Sequence, residues 1–344
     1  MVEKEKEMKY KNRIDKHNIV VENTPYSLLV YWLSQRIENT TYILSADIGR
    51  DVIDRISKEH SIFVYDNKKI KNKLIRFLCM RFFQKIKLYF FIKDKIDKSD
   101  IFGSDHYIAF DIFKKYKYTL IEDGIGNYRD YNKEKLSEKS IKQAIKLLRY
   151  RKSFGVSVNC KKILLTGLAE VPKGIENKVE ILNLKELWSI KTKDEQQKIM
   201  NYFGLNDKLI EDLKRKDSIL LTQPISEDGW ITEKEKIEIY RNIITKYNKN
   251  NFVIKTHPRE TTDYKKVFPD ILVLDEPFPF EMVNLLDIEF KKVITLFSTA
   301  AFDLYKGAEV EWYGASVHPK LEKKLGESLK NISLDHHTVN INER

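Results

Sequence analysis

The chain of 344 residues is 42% hydrophobic and 33% charged, and its formal net charge is +11. This hydrophobic content argues against a disordered chain, and the length is typical of two domains. The two cysteines, Cys79 and Cys160, exclude a disulfide framework and a cysteine zinc site, whereas the excess of lysine and arginine favours an anionic partner.

The amino terminus has the composition of a solvated segment. The stretch MVEKEKEMKYKNRIDKH is charged and lacks an apolar core, so a secretory signal peptide is not predicted. No stretch approaches the roughly 18 to 20 apolar residues of a membrane-spanning helix. We therefore expect a cytoplasmic protein.

Short apolar segments and helices alternate after residue 17. The stretch NIVVENTPYSLLVYWLSQRI predicts a buried strand, a turn, and a helix that Thr24 caps and Pro25 begins. Further strands are predicted at TTYILSA, SIFVY, YIAFDIF and YTLIEDG. This alternation is typical of an α/β domain with a mainly parallel sheet.

A strongly basic segment at residues 68–95 interrupts the alternation, with ten lysines and arginines against one acidic residue, Asp94. Its apolar residues recur at helical spacing. One interpretation is a core helix with a solvated basic face, and another is a helix that lies on an anionic membrane. A third, nucleic-acid binding, is supported by no recognised motif.

Residues 132–215 are rich in lysine and glutamate and are predicted to be largely helical around one strand, KKILLTG. A second alternation then follows, with the predicted strands SILLTQP, NFVIKTHPRE, ILVLDEP and KKVITLF and the predicted helices TEKEKIEIYRNIITKY, FEMVNLLD and STAAFDLY. We predict two doubly wound α/β domains, 1–190 and 191–344, that face each other across a cleft. Ligands are expected at the carboxyl ends of the strands.

The stretch VIKTHPRE places Lys255, His257 and Arg259 at the end of an apolar strand. Pro258 biases His257 away from helical geometry. Such a cluster suits a leaving phosphate group, to which His257 can donate a charge-assisted hydrogen bond or a proton. The alternative is a histidine with a structural role only.

The starts of two other predicted helices are candidate contacts for a phosphate group and for a ribose. Ser298 and Thr299 in ITLFSTAAFDLY either cap a helix or bind phosphate at its amino terminus. Glu281 in PFPFEMV either accepts hydrogen bonds from ribose hydroxyls or complements the helix dipole.

The triplet Glu-Asp-Gly occurs twice after a predicted strand, in LIEDGIGNY and in TQPISEDGW. The glycines of the first loop imply tight turns but do not form a dinucleotide-binding fingerprint. Asp123 is a candidate general base, which would take a proton from a sugar hydroxyl. Asp228 is a second candidate, or part of a helix cap. No DxD triplet occurs, so a metal-held nucleotide sugar of that type is not predicted.

These residues together resemble the bacterial sialyltransferases, in particular glycosyltransferase family 52, the lipooligosaccharide sialyltransferase family. The resemblance rests on Glu122-Asp123-Gly124, on His257-Pro258 and on Ser298-Thr299, in that order along the chain. The stretch TPYSLLV is similar to the start of the family's first strand and helix. The resemblance extends from about residue 18 to residue 310.

The resemblance implies a GT-B fold, CMP-sialic acid as donor, no metal cofactor and inversion at the anomeric carbon. The acceptor would be a terminal galactoside of bacterial lipooligosaccharide or capsule. His257, Ser298 and Thr299 would contact the phosphate and Glu281 the ribose, with Lys255 and Arg259 beside them. Similarity to the wider sialyltransferase group implies that the base is Asp123, in an acceptor-side loop with Glu122 and Gly124. Similarity to family 52 implies instead that the base is Asp228.

Two alternatives remain open. One is a glycosyltransferase that uses a different nucleotide sugar, and the other is a non-enzymatic basic protein bound to membrane or nucleic acid. The paired α/β domains favour an enzyme with a nucleotide sugar and a glycan as partners and without nucleic acid. A peripheral contact of residues 68–95 with an anionic membrane and a homodimer are compatible with this interpretation.

Overall fold

The protein is described by a computed structural model over residues 16–65, 83–132, 141–257, 259–298, 301, 308–329 and 338–340. The chain divides into two compact units, unit 1 from Met1 to Tyr202 and unit 2 from Phe203 to Arg344. Each unit contains one sheet whose strands are all parallel. The predicted class, two doubly wound α/β units, is thereby confirmed.

Seven strands form the sheet of unit 1, in the order β3-β2-β1-β4-β5-β6-β7. They are β1 His17–Glu22, β2 Thr40–Ser45, β3 Ile62–Tyr65, β4 Ser99–Gly103, β5 Tyr118–Ile121, β6 Cys160–Leu165 and β7 Val179–Ile181. The strand order reverses between β1 and β4. In doubly wound sheets this switch point is where ligands bind, outside the carboxyl ends of the strands.

Six α-helices of unit 1 are described, and for the first of them the sequence predicted both the cap and the first residue. They are α1 Pro25–Ser34, α2 Arg50–Ser57, α3 Lys85–Ile92, α4 Ile141–Tyr150, α5 Leu184–Ile190 and α6 Lys193–Phe203, whose last residue belongs to unit 2. Thr24 Oγ1 accepts a hydrogen bond from the backbone N–H of Ser27 at 3.0 Å, and Pro25 is the first helical residue. The predicted cap of α1 is confirmed. The part of the basic segment 68–95 that precedes residue 83 lies outside the described residues.

The predicted strand YIAFDIF is wrong. Residues Ile108–Ile112 form a 3-10 helix, which places Phe110 and Phe113 together in the core of unit 1. The strand beside β1 is instead β4, which the sequence analysis missed. Gly103 at its end has φ +139°, and a Cβ there would lie 2.3 Å from the carbonyl oxygen of Val21. Only glycine permits this close approach of β4 to β1.

The domain boundary in the structure follows Tyr202, whereas the sequence placed it after residue 190. Helix α6 belongs with unit 1 because the side chain of Tyr202, near its end, packs against residues of unit 1. The ring of Tyr202 lies 5.2 Å from that of Trp32, and its hydroxyl group lies 2.9 Å from His60 Nε2.

Six strands form the sheet of unit 2, in the order β10-β9-β8-β11-β12-β13. They are β8 Ser218–Leu221, β9 Phe252–Lys255, β10 Leu272–Leu274, β11 Lys292–Thr295, β12 Glu309–Trp312 and β13 Thr338–Asn340. The switch point lies between β8 and β11. The strands β8 to β11 were predicted, and β12 and β13 were not.

Unit 2 contains the helices α7 Asp207–Lys214, α8 Glu233–Ile244, α9 Tyr264–Val267, α10 Glu281–Leu285 and α11 Pro319–Leu329. Helix α8 begins with a capping box, in which Thr232 and Glu235 exchange side-chain and backbone hydrogen bonds. The predicted helix STAAFDLY falls mostly outside the described residues. Within the part of the chain that the structure describes, no helix is both long and apolar enough to cross a membrane.

Candidate active site

Asp123 follows β5 and lies at the carboxyl edge of the sheet of unit 1. Its Oδ2 accepts a hydrogen bond of 2.6 Å from the hydroxyl group of Tyr107 and lies 3.1 Å from His106 Nε2. Its backbone N–H donates to Asn127 Oδ1 at 3.0 Å. Because these three partners hold the loop and the side chain, the carboxylate has a fixed orientation, which proton transfer from a bound hydroxyl group requires.

His106 and Tyr107 are site residues that the sequence analysis did not identify. They follow β4, which is the neighbour of β5 in the sheet, so both reach Asp123. The His106 ring stacks on Phe154 at 4.6 Å. Its Nδ1 is buried without a hydrogen-bond partner among the described residues, so Nε2 is the nitrogen that meets Asp123. The polar run SDHY, which follows an apolar pair and a glycine, was the sequence feature that could have indicated the end of a strand and these two residues.

Glu122, which precedes Asp123, is buried and holds the loop. Its carboxylate accepts hydrogen bonds from the backbone N–H of Thr166 at 2.5 Å, from the Tyr128 hydroxyl at 2.8 Å and from the Tyr26 hydroxyl at 3.1 Å. Burial raises the pKa of Glu122 above its ordinary value. Gly124 follows with φ +132° and open space around it, so the backbone conformation is what favours glycine there.

A third carboxyl group, Glu22, ends β1 at the same edge. It is 0% exposed, and its Oε2 accepts a hydrogen bond from Ser104 Oγ at 3.2 Å. Burial raises the pKa of Glu22 well above its ordinary range, and the charge of Asp123 raises it further. Burial therefore favours the protonated form of Glu22 beside Asp123.

In unit 2, a cavity of about 210 Å³ lies at the switch point of the sheet. The loops after β8, β9 and β11 supply its lining, which consists of Gln223, Pro224, Ile225, Asp228, Trp230, His257, Arg259, Phe297 and Ser298. Four residues that the sequence indicated as catalytic or donor-binding thus line one cavity.

A backbone hydrogen bond determines which ring nitrogen of His257 carries the proton. The N–H of Arg259 donates to His257 Nδ1 at 3.1 Å, so in the neutral ring the proton is on Nε2. Burial first, and then the positive charges of Arg259 and Lys255, lower the pKa of His257 to about 4. At neutral pH the ring is therefore an uncharged hydrogen-bond donor.

Asp228 and Arg259 form an ion pair on the wall of this cavity. Arg259 Nη1 lies 2.6 Å from Asp228 Oδ1, and Nη2 lies 3.3 Å from Oδ2. This two-point contact joins the loop after β8 to the loop after β9. One candidate base and one predicted donor-binding residue are thus paired with each other.

Lys255 is buried at the end of β9 and is absent from the residues that line the cavity. Its Nζ donates to the carbonyl oxygens of Thr256 at 3.2 Å and Glu276 at 3.1 Å, and it lies 4.7 Å from the centre of the Phe278 ring. Burial lowers the pKa of Lys255 to about 8. Its ammonium group holds the loop after β10 against the end of β9.

The other predicted donor contacts, Ser298 and Glu281, follow β11 and β10, which β8 and β9 separate in the sheet, and only Ser298 lines the cavity. The backbone N–H of Ser298 donates to Thr295 Oγ1 at 3.0 Å. Glu281 begins α10, after β10. Thr299 and Pro258 lie outside the described residues. Among the ranges that the structure describes, no group of three or more His, Cys, Asp or Glu side chains is arranged to hold a metal ion.

The chain is similar to known proteins in sequence and in fold. The model of glycosyltransferase family 52 matches residues 38–321. A protein of Haemophilus influenzae described as uncharacterized is 44% identical over 247 residues, which cover 70% of this chain and 78% of that protein.

Two crystal structures have a similar fold. One is the α/β-galactoside α-2,3-sialyltransferase of Photobacterium phosphoreum, with TM-score 0.52, 14% identity and coverage of 96% of this chain and 100% of that one. The other is a sialyltransferase of Photobacterium damsela, with TM-score 0.53, 11% identity and coverage of 94% and 81%. At these identities the likeness shows the fold, and it confirms the predicted GT-B-like class.

Proposed function

This chain belongs to glycosyltransferase family 52, and we propose that it is an inverting sialyltransferase. Its donor would be CMP-sialic acid, and its acceptor a terminal galactoside of a bacterial surface glycan such as lipooligosaccharide or capsule. The observation that supports the proposal most directly is the cavity at the switch point of unit 2. There His257 and Arg259, from the loop after β9, meet Ser298, from the loop after β11, in an arrangement suited to a phosphate group.

The donor reaction breaks the bond between the anomeric carbon of sialic acid and a phosphate oxygen. CMP leaves with one more negative charge on its phosphate than it had in the donor. The Nε2–H of His257 donates a hydrogen bond to that oxygen, and the guanidinium of Arg259 lies beside it. Contacts that strengthen as this charge develops accelerate the reaction, because they stabilise the transition state more than the bound donor.

We assign the general base to Asp123. The acceptor hydroxyl attacks the anomeric carbon from the face opposite the leaving phosphate, which inverts the configuration, and its proton passes to the Asp123 carboxylate. Asp228 is the less suitable candidate because both of its oxygens are already bound by Arg259. Tyr107 and His106 hold the Asp123 carboxylate in place.

A lipid-linked acceptor would place the enzyme at the inner face of the cytoplasmic membrane, and helix α3 has a surface suited to this. Phe83, two residues before this helix, and Phe90, near its end, are 66% and 62% exposed. Lys85 and Lys87 lie between them in sequence, and Lys93 follows Phe90. Exposed aromatic side chains next to lysines are typical of peripheral contact with anionic lipids.

The proposal is tested by a panel of CMP- and UDP-sugars offered with a galactoside acceptor. We expect transfer from CMP-sialic acid only, with inverted configuration by NMR and with activity retained in EDTA. CMP at 100 times its Kd should stabilise the fold by about 2.7 kcal/mol. Transfer from a UDP-sugar would show that CMP-sialic acid is not the donor. If the protein neither binds a nucleotide nor transfers a sugar, the alternative of a non-enzymatic basic protein would stand.

A further inference from the structure

Lys236 is a buried cation behind the cavity of unit 2. It lies on α8, and its side chain is 0% exposed. Its Nζ lies 2.9 Å from each carboxylate oxygen of Glu227 and 3.3 Å from Glu260 Oε1. The two carboxylates come from different loops, one after β8 and one after β9.

Glu227 immediately precedes Asp228. Its Oε1 also accepts a hydrogen bond of 2.8 Å from the backbone N–H of Thr261, across the gap between the two loops. Although partial burial opposes it, the hydrogen bonds from Thr261 and Lys236 lower the pKa of Glu227 to about 2. Glu227 is therefore ionised at every pH at which the enzyme would work.

Glu260 holds the backbone of His257. Its side chain is 1% exposed, and its Oε2 accepts a hydrogen bond from the His257 N–H at 2.8 Å. Its Oε1 accepts from the Tyr264 hydroxyl at 2.7 Å and from Lys236. The conformation of the His257 loop thus depends on a carboxylate that Lys236 neutralises.

Stability alone is a weak reason for such an arrangement. Replacement of a buried ion pair by apolar side chains is often neutral or stabilising, whereas a buried charge without its partner is strongly destabilising. What Lys236 supplies in addition is geometry, since a single ammonium group fixes the loop of Asp228 relative to the loop of His257.

We propose that Lys236 is a positioning residue of the donor site, which sets the mutual placement of Asp228, Arg259 and His257 through Glu227 and Glu260. The proposal deepens the proposed function and depends on it for the identity of the donor. It assigns no contact with substrate to Lys236, because the ammonium group is fully buried and its partners face it.

The test compares Lys236→Met with Lys234→Met, an exposed lysine on the same helix. For Lys236→Met we expect kcat/KM for CMP-sialic acid to fall by up to about 10²-fold, as small displacements of catalytic groups do. The KM for the galactoside should not change, and Lys234→Met should behave as the unaltered protein.

A second measurement does not depend on turnover. NMR titration of the His257 ring should show its pKa rising above about 4 in Lys236→Met, because Glu227, whose charge already raises it, loses the ammonium group that offsets that charge. In Glu227→Gln, where a negative charge is lost and Lys236 is kept, the pKa should fall. The backbone N–H resonance of His257 should also shift in Lys236→Met, because a displaced Glu260 changes its hydrogen bond to that N–H, whereas a change of charge alone leaves this hydrogen bond in place.

The outcomes separate the two proposals. If both variants keep the His257 titration and the kcat/KM of the unaltered protein, the positioning role is overturned. If Lys236→Met does not fold, Glu227→Gln decides the question by the same two measurements. If the unaltered protein transfers no sialic acid, the proposed function fails, and the backbone N–H resonance of His257 still decides whether Lys236 positions His257.

Discussion

The guanidinium group of Arg259 binds both carboxylate oxygens of Asp228, at 2.6 and 3.3 Å. Both residues line the cavity proposed for the donor phosphate. A phosphate that enters this cavity therefore competes with Asp228 for Arg259. The pairing also leaves Asp228 poorly placed to accept a proton, and this distinguishes it from Asp123.

Asp123→Asn should abolish most transfer. General-base catalysis is typically worth a factor of about 10²–10⁴, and the amide keeps the size of the side chain but cannot take the proton. CMP should still bind, because its proposed site lies in unit 2. Steady-state kinetics and a CMP thermal shift measure the two properties. Turnover within a few-fold of the unaltered protein would remove Asp123 from the mechanism.

Asp228→Asn should strengthen CMP binding and reduce turnover only slightly. Loss of the carboxylate charge releases Arg259 for the phosphate, so we expect CMP to bind several-fold more tightly. Turnover should fall by less than about tenfold, since no base is lost. Calorimetric titration with CMP measures the first effect. A large loss of turnover together with an unchanged Kd for CMP would identify Asp228 as the base instead.

The pH dependence of His257 is the next prediction. Its pKa of about 4 lies below the ordinary histidine value near 6.5, so in the free enzyme the ring stays neutral from neutral pH down to about pH 4. Bound CMP adds negative charge beside Nε2 and should raise this pKa. NMR titration of the ring with and without CMP measures the shift, and His257→Gln identifies its resonance. The same variant should lose kcat with little change in acceptor KM, and an unshifted pKa would mean that the phosphate lies elsewhere.

Glu122→Ala should destabilise unit 1. Each buried donor left without its acceptor costs about 1–3 kcal/mol, and the Tyr128 hydroxyl and the Thr166 N–H both lose theirs. Thermal unfolding should show a clear drop in Tm. Glu170→Ala, an exposed glutamate, is the matched control. Equal Tm values for the two variants would show that Glu122 does not hold the loop.

Replacement of Phe83 and Phe90 by serine should weaken binding to vesicles that contain phosphatidylglycerol. Full burial of such a side chain contributes about 1.5–3 kcal/mol, so the double variant should lose most of the bound fraction in a sedimentation assay. Val158→Ser is a control, because Val158 is 82% exposed at a different position of unit 1. Activity on a short soluble galactoside should persist. If the Phe83 and Phe90 variant sediments like the control, α3 is not the membrane contact.

The sequence predicted those elements whose pattern is local. Strand β1, the turn and helix α1 were found because an apolar run, a cap at Thr24 and Pro25 follow one another. Strand β4 was missed because SDIFG contains a single apolar pair. Its strand conformation depends on pairing with β1 and β5 on either side, which no local pattern reveals.

The candidate site divides in the same way. His257 and Ser298 were identified because each follows an apolar strand, and the structure places both at one cavity. Lys236 was not identified, since its partners Glu227 and Glu260 come from separate loops and its helix has an ordinary charged pattern. Glu122 and Glu227 occupy equivalent places in the two Glu-Asp-Gly loops. In each, the glutamate binds neighbouring backbone and side chains and the aspartate follows it.

The wholly parallel sheet of unit 1 also bears on how the chain folds during synthesis. Val20 in the central strand is paired with Tyr42 on one side and with Phe102 on the other. The first partner follows soon after Val20 on the ribosome, whereas the second emerges only when Ser99–Gly103 has been translated. Until then β1 has an unpaired edge, which is a template for association with other chains. Pairings so distant in sequence slow folding, so nascent chains halted before Phe102 should be the most prone to aggregate.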